Sequence, residues 1–150
     1  MAVADAVEDL VHDHADLNRR VLALGAAVPQ LDRAALAGFA AQLEALRELL
    51  FLHFAREEEG LFPFVSDCEA DLADQVNAMA SAHDTICGAL ARMCHLASSG
   101  AEPGTLALVF QRFESAYAAH ARTEADLLDE LGRRLSPEQR EQLAAIVDGL

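Results

Sequence analysis

The chain has 150 residues, of which 53% are hydrophobic and 5% aromatic, and its formal net charge is −14. This length suits one domain with a substantial apolar core, and the abundance of alanine and leucine favours helices over sheets. The acidic balance excludes the basic footprint of a nucleic-acid-binding protein and the polybasic patch of a membrane-surface protein. We therefore expect a single domain over residues 1–150 with no nucleic-acid or membrane partner.

The N-terminus and the cysteines indicate a cytoplasmic protein. The opening residues MAVADAVEDLVHDH lack the basic flank and long apolar run of a signal peptide. No window of transmembrane length is free of charge. The three cysteines (Cys68, Cys87 and Cys94) are irregularly spaced, which is not typical of a disulfide framework but suits a reducing compartment.

Taken in chain order, helical periodicity and helix-breaking residues divide the chain into segments. Pro29 follows the first apolar pattern, and Gly60 with Pro63 interrupts the second. The segment SSGAEPG separates the third pattern from the fourth. The predicted helices are 3–27, 32–60, 67–98 and 105–134, with a short helix at 137–148. Because short connections force neighbouring helices to run antiparallel, we expect an all-α, up-down-up-down four-helix bundle with a short fifth helix.

Two capping boxes are predicted at helix starts. Ser66 with Glu69 has the required spacing at the start of the third helix. Ser136 with Gln139 has the same spacing at the start of the last helix, where Pro137 would occupy the first helical position.

Each predicted helix has one stripe of residues, spaced alternately by three and four, that a bundle would bury. The stripes are Val3, Val7, Leu10, His14, Leu17, Val21 and Leu24; Leu36, Phe39, Leu43, Leu46, Leu50, His53 and Glu57; Leu72, Val76, Met79, His83, Ile86, Leu90 and Met93; and Leu106, Phe110, Phe113, Tyr117, His120, Glu124, Leu127 and Leu131. Apart from the amphipathic Tyr117, the polar stripe residues are His14, His53, Glu57, His83, His120 and Glu124.

These six polar residues point to a shared pair of cations. Burying them without compensation would consume most of a domain's roughly 5–15 kcal/mol of stability. His53 and Glu57 are four residues apart, as are His120 and Glu124, so each pair lies about 6 Å apart along one helix face. Imidazole and carboxylate ligands suit iron, manganese or zinc. We predict that all six are metal ligands, with Glu57 and Glu124 each bridging two ions, whereas His12 and His95 lie off the stripes.

The same residues lie in patterns that resemble the hemerythrin-like (HHE cation-binding) domain family. The resemblance covers about residues 3–134, and its most specific part is HFAREEEGLFP. The other shared pieces are DHADLNRRV, ASAHDTI and HARTEADLLDEL. The resemblance implies an antiparallel bundle holding a non-haem di-iron centre with an oxo or hydroxo bridge. It also implies that Glu57 and Glu124 bridge the two iron ions and that the four histidines are terminal ligands.

The chain departs from the oxygen-carrying hemerythrins in its number of histidines. Those proteins have a second histidine on the third helix, where this chain has Cys87 in one direction and Met79 in the other. Four histidines with two glutamates is similar to the di-iron domain of bacterial proteins that repair iron–sulfur centres after nitrosative or oxidative stress. Those proteins have an additional small N-terminal domain, which we do not expect in this chain.

The leading functional interpretation is a di-iron protein that binds or reduces a small oxidant (oxygen, peroxide or nitric oxide) in a stress response. A missing ligand leaves more coordination positions open, which favours activation over storage. The alternatives are a non-catalytic oxygen- or iron-binding module, a metal or gas sensor, and a metal-free bundle. The residues do not decide between iron, zinc and manganese, between enzyme and binding module, or between monomer and homodimer, and they name no electron donor.

Overall fold

Residues 5–149 of the chain are described by a computed structural model, and within this range the protein is all-helical with no strand. The α-helices are α1 (Ala6–Ala27), α2 (Leu36–Arg56), α3 (Phe62–Cys68), α4 (Ala73–Ser98), α5 (Pro103–Arg134) and α6 (Pro137–Asp148). A π-helical turn spans Glu57–Leu61, and 3₁₀ turns span Val28–Gln30 and Ala70–Leu72. The all-α prediction is confirmed, and the short last helix has its predicted bounds. The predicted helix start at residue 3 and the stripe residue Val3 lie outside the described residues.

The long helices form a bundle around the predicted stripes. Both α1 and α4 pack against α2 and α5, and α6 packs across α1 and the π-helical turn. Every described residue on the four stripes is buried, because the three-and-four spacing keeps these side chains on one face of each helix.

A layer of polar residues divides the apolar core into two clusters. The Phe113 cluster includes Leu17, Leu50, Ile86, Phe113 and Tyr117, and the Leu61 cluster includes Leu10, Leu61, Met79, Leu127 and Leu143. Between them lies the polar layer, which consists of His14, His53, Glu57, His83, His120 and Glu124. Within the part of the chain that is described, these six are the buried polar or charged residues.

The second helical segment continues past its predicted end. The sequence predicts an interruption at Gly60 and Pro63, whereas the chain stays helical from α2 through the π-helical turn into α3. In this turn the Phe62 N–H donates to the Glu57 carbonyl, which accommodates one extra residue. Pro63 lies in the first turn of α3, where its missing N–H costs little. The prediction that the helix ends at residue 60 is therefore wrong.

One of the two predicted capping boxes is present. The Ser136 hydroxyl accepts from the Gln139 N–H at 3.2 Å, and the Gln139 side chain accepts from the Ser136 N–H at 2.9 Å. The other prediction is wrong: Ser66 lies inside α3, and no side chain caps the start of α4. Because the second helical segment runs through Ser66, that residue is already helical and is not at a helix start.

Candidate metal centre

The polar layer gathers side chains from α1, the second helical segment, α4 and α5 at one level of the bundle. The exposed fraction of these six residues ranges from 0% at Glu57 to 7% at His14. Glu57 is the first residue of the π-helical turn, one turn after His53 on α2. A π-helical turn inside a longer helix is often found at a functional site.

All four imidazoles present Nε2 to the two buried carboxylates. His53 Nε2 lies 2.7 Å from Glu124 Oε1 and 3.4 Å from Glu57 Oε1. The other Nε2 distances are 3.4 Å from His83 to Glu57 Oε1, 3.4 Å from His120 to Glu124 Oε2 and 3.6 Å from His14 to Glu124 Oε2. Glu57 and Glu124 are therefore each shared between histidines from different helices.

Potential ligand atoms form two overlapping groups. One group contains Glu57, His83 and His120, and the other contains His53, Glu57 and Glu124. The ligand atoms of each group lie within 4.8 Å of one another. His14 belongs to neither group but approaches the second through Glu124. Each group could hold a metal ion, and the two groups share Glu57.

The electrostatics of the two carboxyls differ. Burial and the neighbouring Glu124 carboxylate raise the pKa of Glu57 well above its ordinary value. Burial also acts to raise the pKa of Glu124, but the adjacent Glu57, His120 and His53 outweigh it and hold that pKa well below its ordinary value. Without a cation, these shifts favour the neutral form of Glu57 and the ionised form of Glu124.

The pKa values of the histidines also differ from one another. Burial acts to lower the pKa of His53, but the carboxylates of Asp13 and Glu124 outweigh it and raise this pKa to about 9. Burial, together with the charge of His120, lowers the pKa of His83 to about 3. Burial lowers the pKa of His14 as well. Since metal ligation requires a neutral imidazole, His83 and His14 are in the required protonation state at neutral pH.

Aromatic rings close one side of the centre, and a groove reaches the other. The rings of Phe54 and Phe62 stack on His83, with centroids 3.6 Å and 5.5 Å away. On the opposite side, a groove of about 620 Å³ between α1 and α5 is lined in part by His14. A smaller cavity of about 50 Å³ is lined by His53, Asp13 and Arg56 among others.

Two carboxylates lie behind the imidazoles, on the side away from the buried glutamates. Asp13 Oδ2 is 3.8 Å from His53 Nδ1, and Glu58 Oε1 is 3.7 Å from His83 Nδ1. Glu58 adjoins Glu57 in the sequence, so its place near the centre follows from local spacing. Asp13 lies off the α1 stripe and reaches His53 only because α1 packs against α2, so no local pattern points to it.

The remaining candidate residues lie outside the two ligand groups. His12 and His95 are exposed, as their positions off the stripes predict. Burial raises the pKa of the Cys87 thiol to about 11, so this side chain is not a thiolate at neutral pH. The Tyr117 hydroxyl donates to Asn18 Oδ1 at 2.7 Å and so already has a partner. Cys68, Cys87 and Cys94 are free thiols.

Comparison with known protein families agrees with this geometry. The family model described as the hemerythrin HHE cation binding domain matches residues 5–131. The chain belongs to the hemerythrin HHE cation-binding domain family. No curated protein and no solved structure matches it significantly.

An HHE domain binds metal cations, typically iron, and the polar layer fits such a group. Eight buried side-chain nitrogen and oxygen atoms have no hydrogen-bond partner within residues 5–149, and all of them belong to the polar layer. They include both oxygens of Glu57 and both ring nitrogens of His83 and His120. Unpartnered buried polar atoms are rare and costly, and a bound cation would satisfy them.

The matched range also separates two parts of the chain. It covers α1 through most of α5, whereas α6 lies beyond it. No helix in the described part of the chain is long and apolar enough to cross a membrane.

Proposed function

We propose that this HHE domain holds a pair of non-haem iron ions and uses them to bind or reduce a small oxidant: oxygen, peroxide or nitric oxide. The proposed biological setting is a response to oxidative or nitrosative stress in the cytoplasm. When bound, a pair of iron ions supplies positive charge beside the two carboxylates and electrons for the oxidant.

The observation that carries the proposal is the set of eight unpartnered atoms in an otherwise apolar core. A structural role alone would leave these atoms uncompensated. Two cations would compensate them together, because the two ligand groups share Glu57. One cation would leave atoms of the other group without a partner.

The proposed ligands are His14, His53, Glu57, His83, His120 and Glu124. Glu57 and Glu124 are assigned as the bridging carboxylates, since each lies within 4.0 Å of histidines from at least two helices. The histidines are assigned as terminal ligands through Nε2, the nitrogen that each turns toward these carboxylates.

We also propose that residues 1–150 form one domain with up-down-up-down connections. Two ion pairs support these directions: one joins the starts of α2 and α5, which run parallel, and the other joins the end of α5 to the start of α4, which run antiparallel. Arg33, just before α2, pairs with Glu102, just before α5, at 2.7 Å. At the other end of the bundle, Arg134 at the end of α5 pairs with Asp71, just before α4, at 2.9 Å.

The chain's own residues would admit a small molecule from the α1 side. His14 is the most exposed member of the polar layer, and it lines the groove between α1 and α5. Phe54 and Phe62 cover His83 on the opposite side and exclude water there. A small ligand is therefore expected to approach from the side of His14.

The test is metal analysis of protein from iron-replete cells, together with its absorption spectrum in air. We expect two irons per chain and the near-ultraviolet absorption of a coupled ferric pair. The reduced protein is then mixed with oxygen, peroxide or nitric oxide under an excess of reductant. Repeated consumption identifies turnover, whereas an adduct that reverses on degassing identifies a carrier. Less than one iron per chain, or zinc alone, would contradict the proposal.

A further inference from the structure

A carboxylate on α1 faces the outer nitrogen of a proposed ligand on α2. His53 Nε2 faces Glu57 and Glu124, so His53 Nδ1 is the nitrogen left to carry the ring proton. His53 is only 2% exposed, so water cannot readily reach this Nδ1, and the atom has no hydrogen-bond partner. Asp13 Oδ2 lies 3.8 Å away.

A second contact holds the Asp13 carboxylate in this place. Arg56, on the last turn of α2, donates to Asp13 Oδ2 at 3.3 Å. The same two residues line the cavity of about 50 Å³ beside His53. A small rotation would shorten 3.8 Å to the roughly 2.7–3.2 Å of a hydrogen bond.

From this arrangement we infer that Asp13, held by Arg56, is a positioning residue for the metal centre: it accepts the Nδ1–H hydrogen bond of His53. The inference rests on the proposed function, because it assigns a role only if His53 ligates a cation. A hydrogen bond to the outer nitrogen fixes the tautomer and orientation of a ligating imidazole and strengthens it as a ligand.

Asp16 provides a matched control. It lies on the same helix, three residues after Asp13, and lines the same cavity. Its carboxylate instead pairs with Arg19 at 2.8 Å and Arg20 at 3.1 Å. Substituting Asp16 removes the same charge from the same face without removing an acceptor from His53.

The experiment measures Co²⁺ affinity by competition with a chelator and records the visible d–d absorption of the Co²⁺-loaded protein. We expect Asp13→Ala to weaken Co²⁺ binding about 10–100-fold and to shift the d–d bands. Asp13→Asn should recover most of the affinity, since the amide oxygen accepts the same hydrogen bond. Asp16→Ala should match the wild type in affinity and spectrum.

Equal Co²⁺ affinity and spectra for Asp13→Ala and Asp16→Ala would overturn the inference while leaving the proposed function intact. Failure of the wild-type protein to bind Co²⁺ would instead count against the proposed metal centre itself. Circular dichroism of the metal-free variants checks that they fold. If Asp13→Ala does not fold, Arg56→Gln tests the inference instead. This variant keeps the Asp13 carboxylate but removes the arginine that holds it. Weaker Co²⁺ binding by Arg56→Gln supports the inference, and unchanged binding overturns it.

Discussion

Leu50 and Glu57 lie two turns apart in the second helical segment, and neither is exposed to solvent. Leu50 belongs to the Phe113 cluster of apolar and amphipathic side chains. Both carboxylate oxygens of Glu57 are without a partner. Burial of the leucine stabilises the fold by removing apolar surface from water, whereas burial of an unpartnered carboxyl opposes folding.

This difference separates two roles that a core position can have. The apolar clusters stabilise the bundle whether or not a cation is bound. We expect the polar layer to destabilise the metal-free protein and to become favourable when a cation is bound, so metal binding and folding should be coupled. Substitutions in the two regions should therefore change different measurements.

The largest expected effect is loss of metal from polar-layer variants. Glu57→Ala or His120→Ala should reduce the bound iron of the purified protein to near zero, because each removes a member of a buried ligand group. His12→Ala and His95→Ala remove exposed imidazoles and should retain the wild-type iron content. Equal loss from all four variants, measured by elemental analysis, would contradict the assignment of the polar layer.

In the Phe113 cluster, Leu50→Ala should lower the free energy of unfolding by about 2–5 kcal/mol through lost burial and a new cavity. The loss should be similar with and without metal. Leu22→Ala is the control, since Leu22 is 69% exposed and its substitution should change stability by less than about 0.5 kcal/mol. Urea unfolding followed by circular dichroism measures both. Equal stability of the two variants would mean that Leu50 is not a core residue.

Removing the buried carboxyl of Glu57 should change the free energy of unfolding in the opposite direction. Glu57→Leu should raise the free energy of unfolding of the metal-free protein by about 1–3 kcal/mol, because an apolar side chain replaces an unpartnered polar group. Glu59→Leu changes an exposed neighbour and should have little effect. Urea unfolding in the presence of a chelator tests this, and a destabilised Glu57→Leu variant would show that the carboxyl has a partner even without metal.

The smallest effect is proton release on metal binding. At pH 7.5 the pKa of about 9 leaves a proton on His53, and the raised pKa of Glu57 favours a proton on that carboxyl as well. A cation must displace them, so we expect the release of about one proton or more per chain and an affinity that rises as the pH approaches 9. Calorimetric titration with Zn²⁺ in buffers of different ionisation enthalpy counts these protons. His12→Ala should release the same number of protons. If the wild type releases none, the cation does not displace protons from these residues.

The stripes and the polar layer could be predicted from the sequence because both depend on helical periodicity alone. A histidine at position 14 continues the spacing of Leu10 and Leu17, so its burial follows from theirs. The family resemblance was likewise visible, and the match over residues 5–131 confirms it. The roles of the six residues as ligands stay a prediction.

Other features depend on tertiary structure and could not be predicted in this way. Gly60 and Pro63 are ordinary helix-ending signals. Here Gly60 lies within the π-helical turn, Pro63 lies in the first turn of α3, and the chain stays helical through both. The Ser66 capping pattern failed for the same reason. Asp13 was missed because its neighbour on α2 is set by how two helices pack, and nothing in the local sequence of α1 specifies that neighbour.

The extra residue of the π-helical turn has a geometric consequence for the whole second segment. A regular helix rotates the chain by about 100° per residue, so an extra residue without this turn would rotate everything after Leu61 by that angle. The wider π-helical turn takes up the extra residue instead. Ahead of the turn, His53 faces the centre of the bundle; behind it, Phe64 and Val65 face the cluster that includes Leu143 of α6. The turn thereby keeps the surface that contacts α6 aligned with the polar layer, although the segment has one residue more than a regular helix would need.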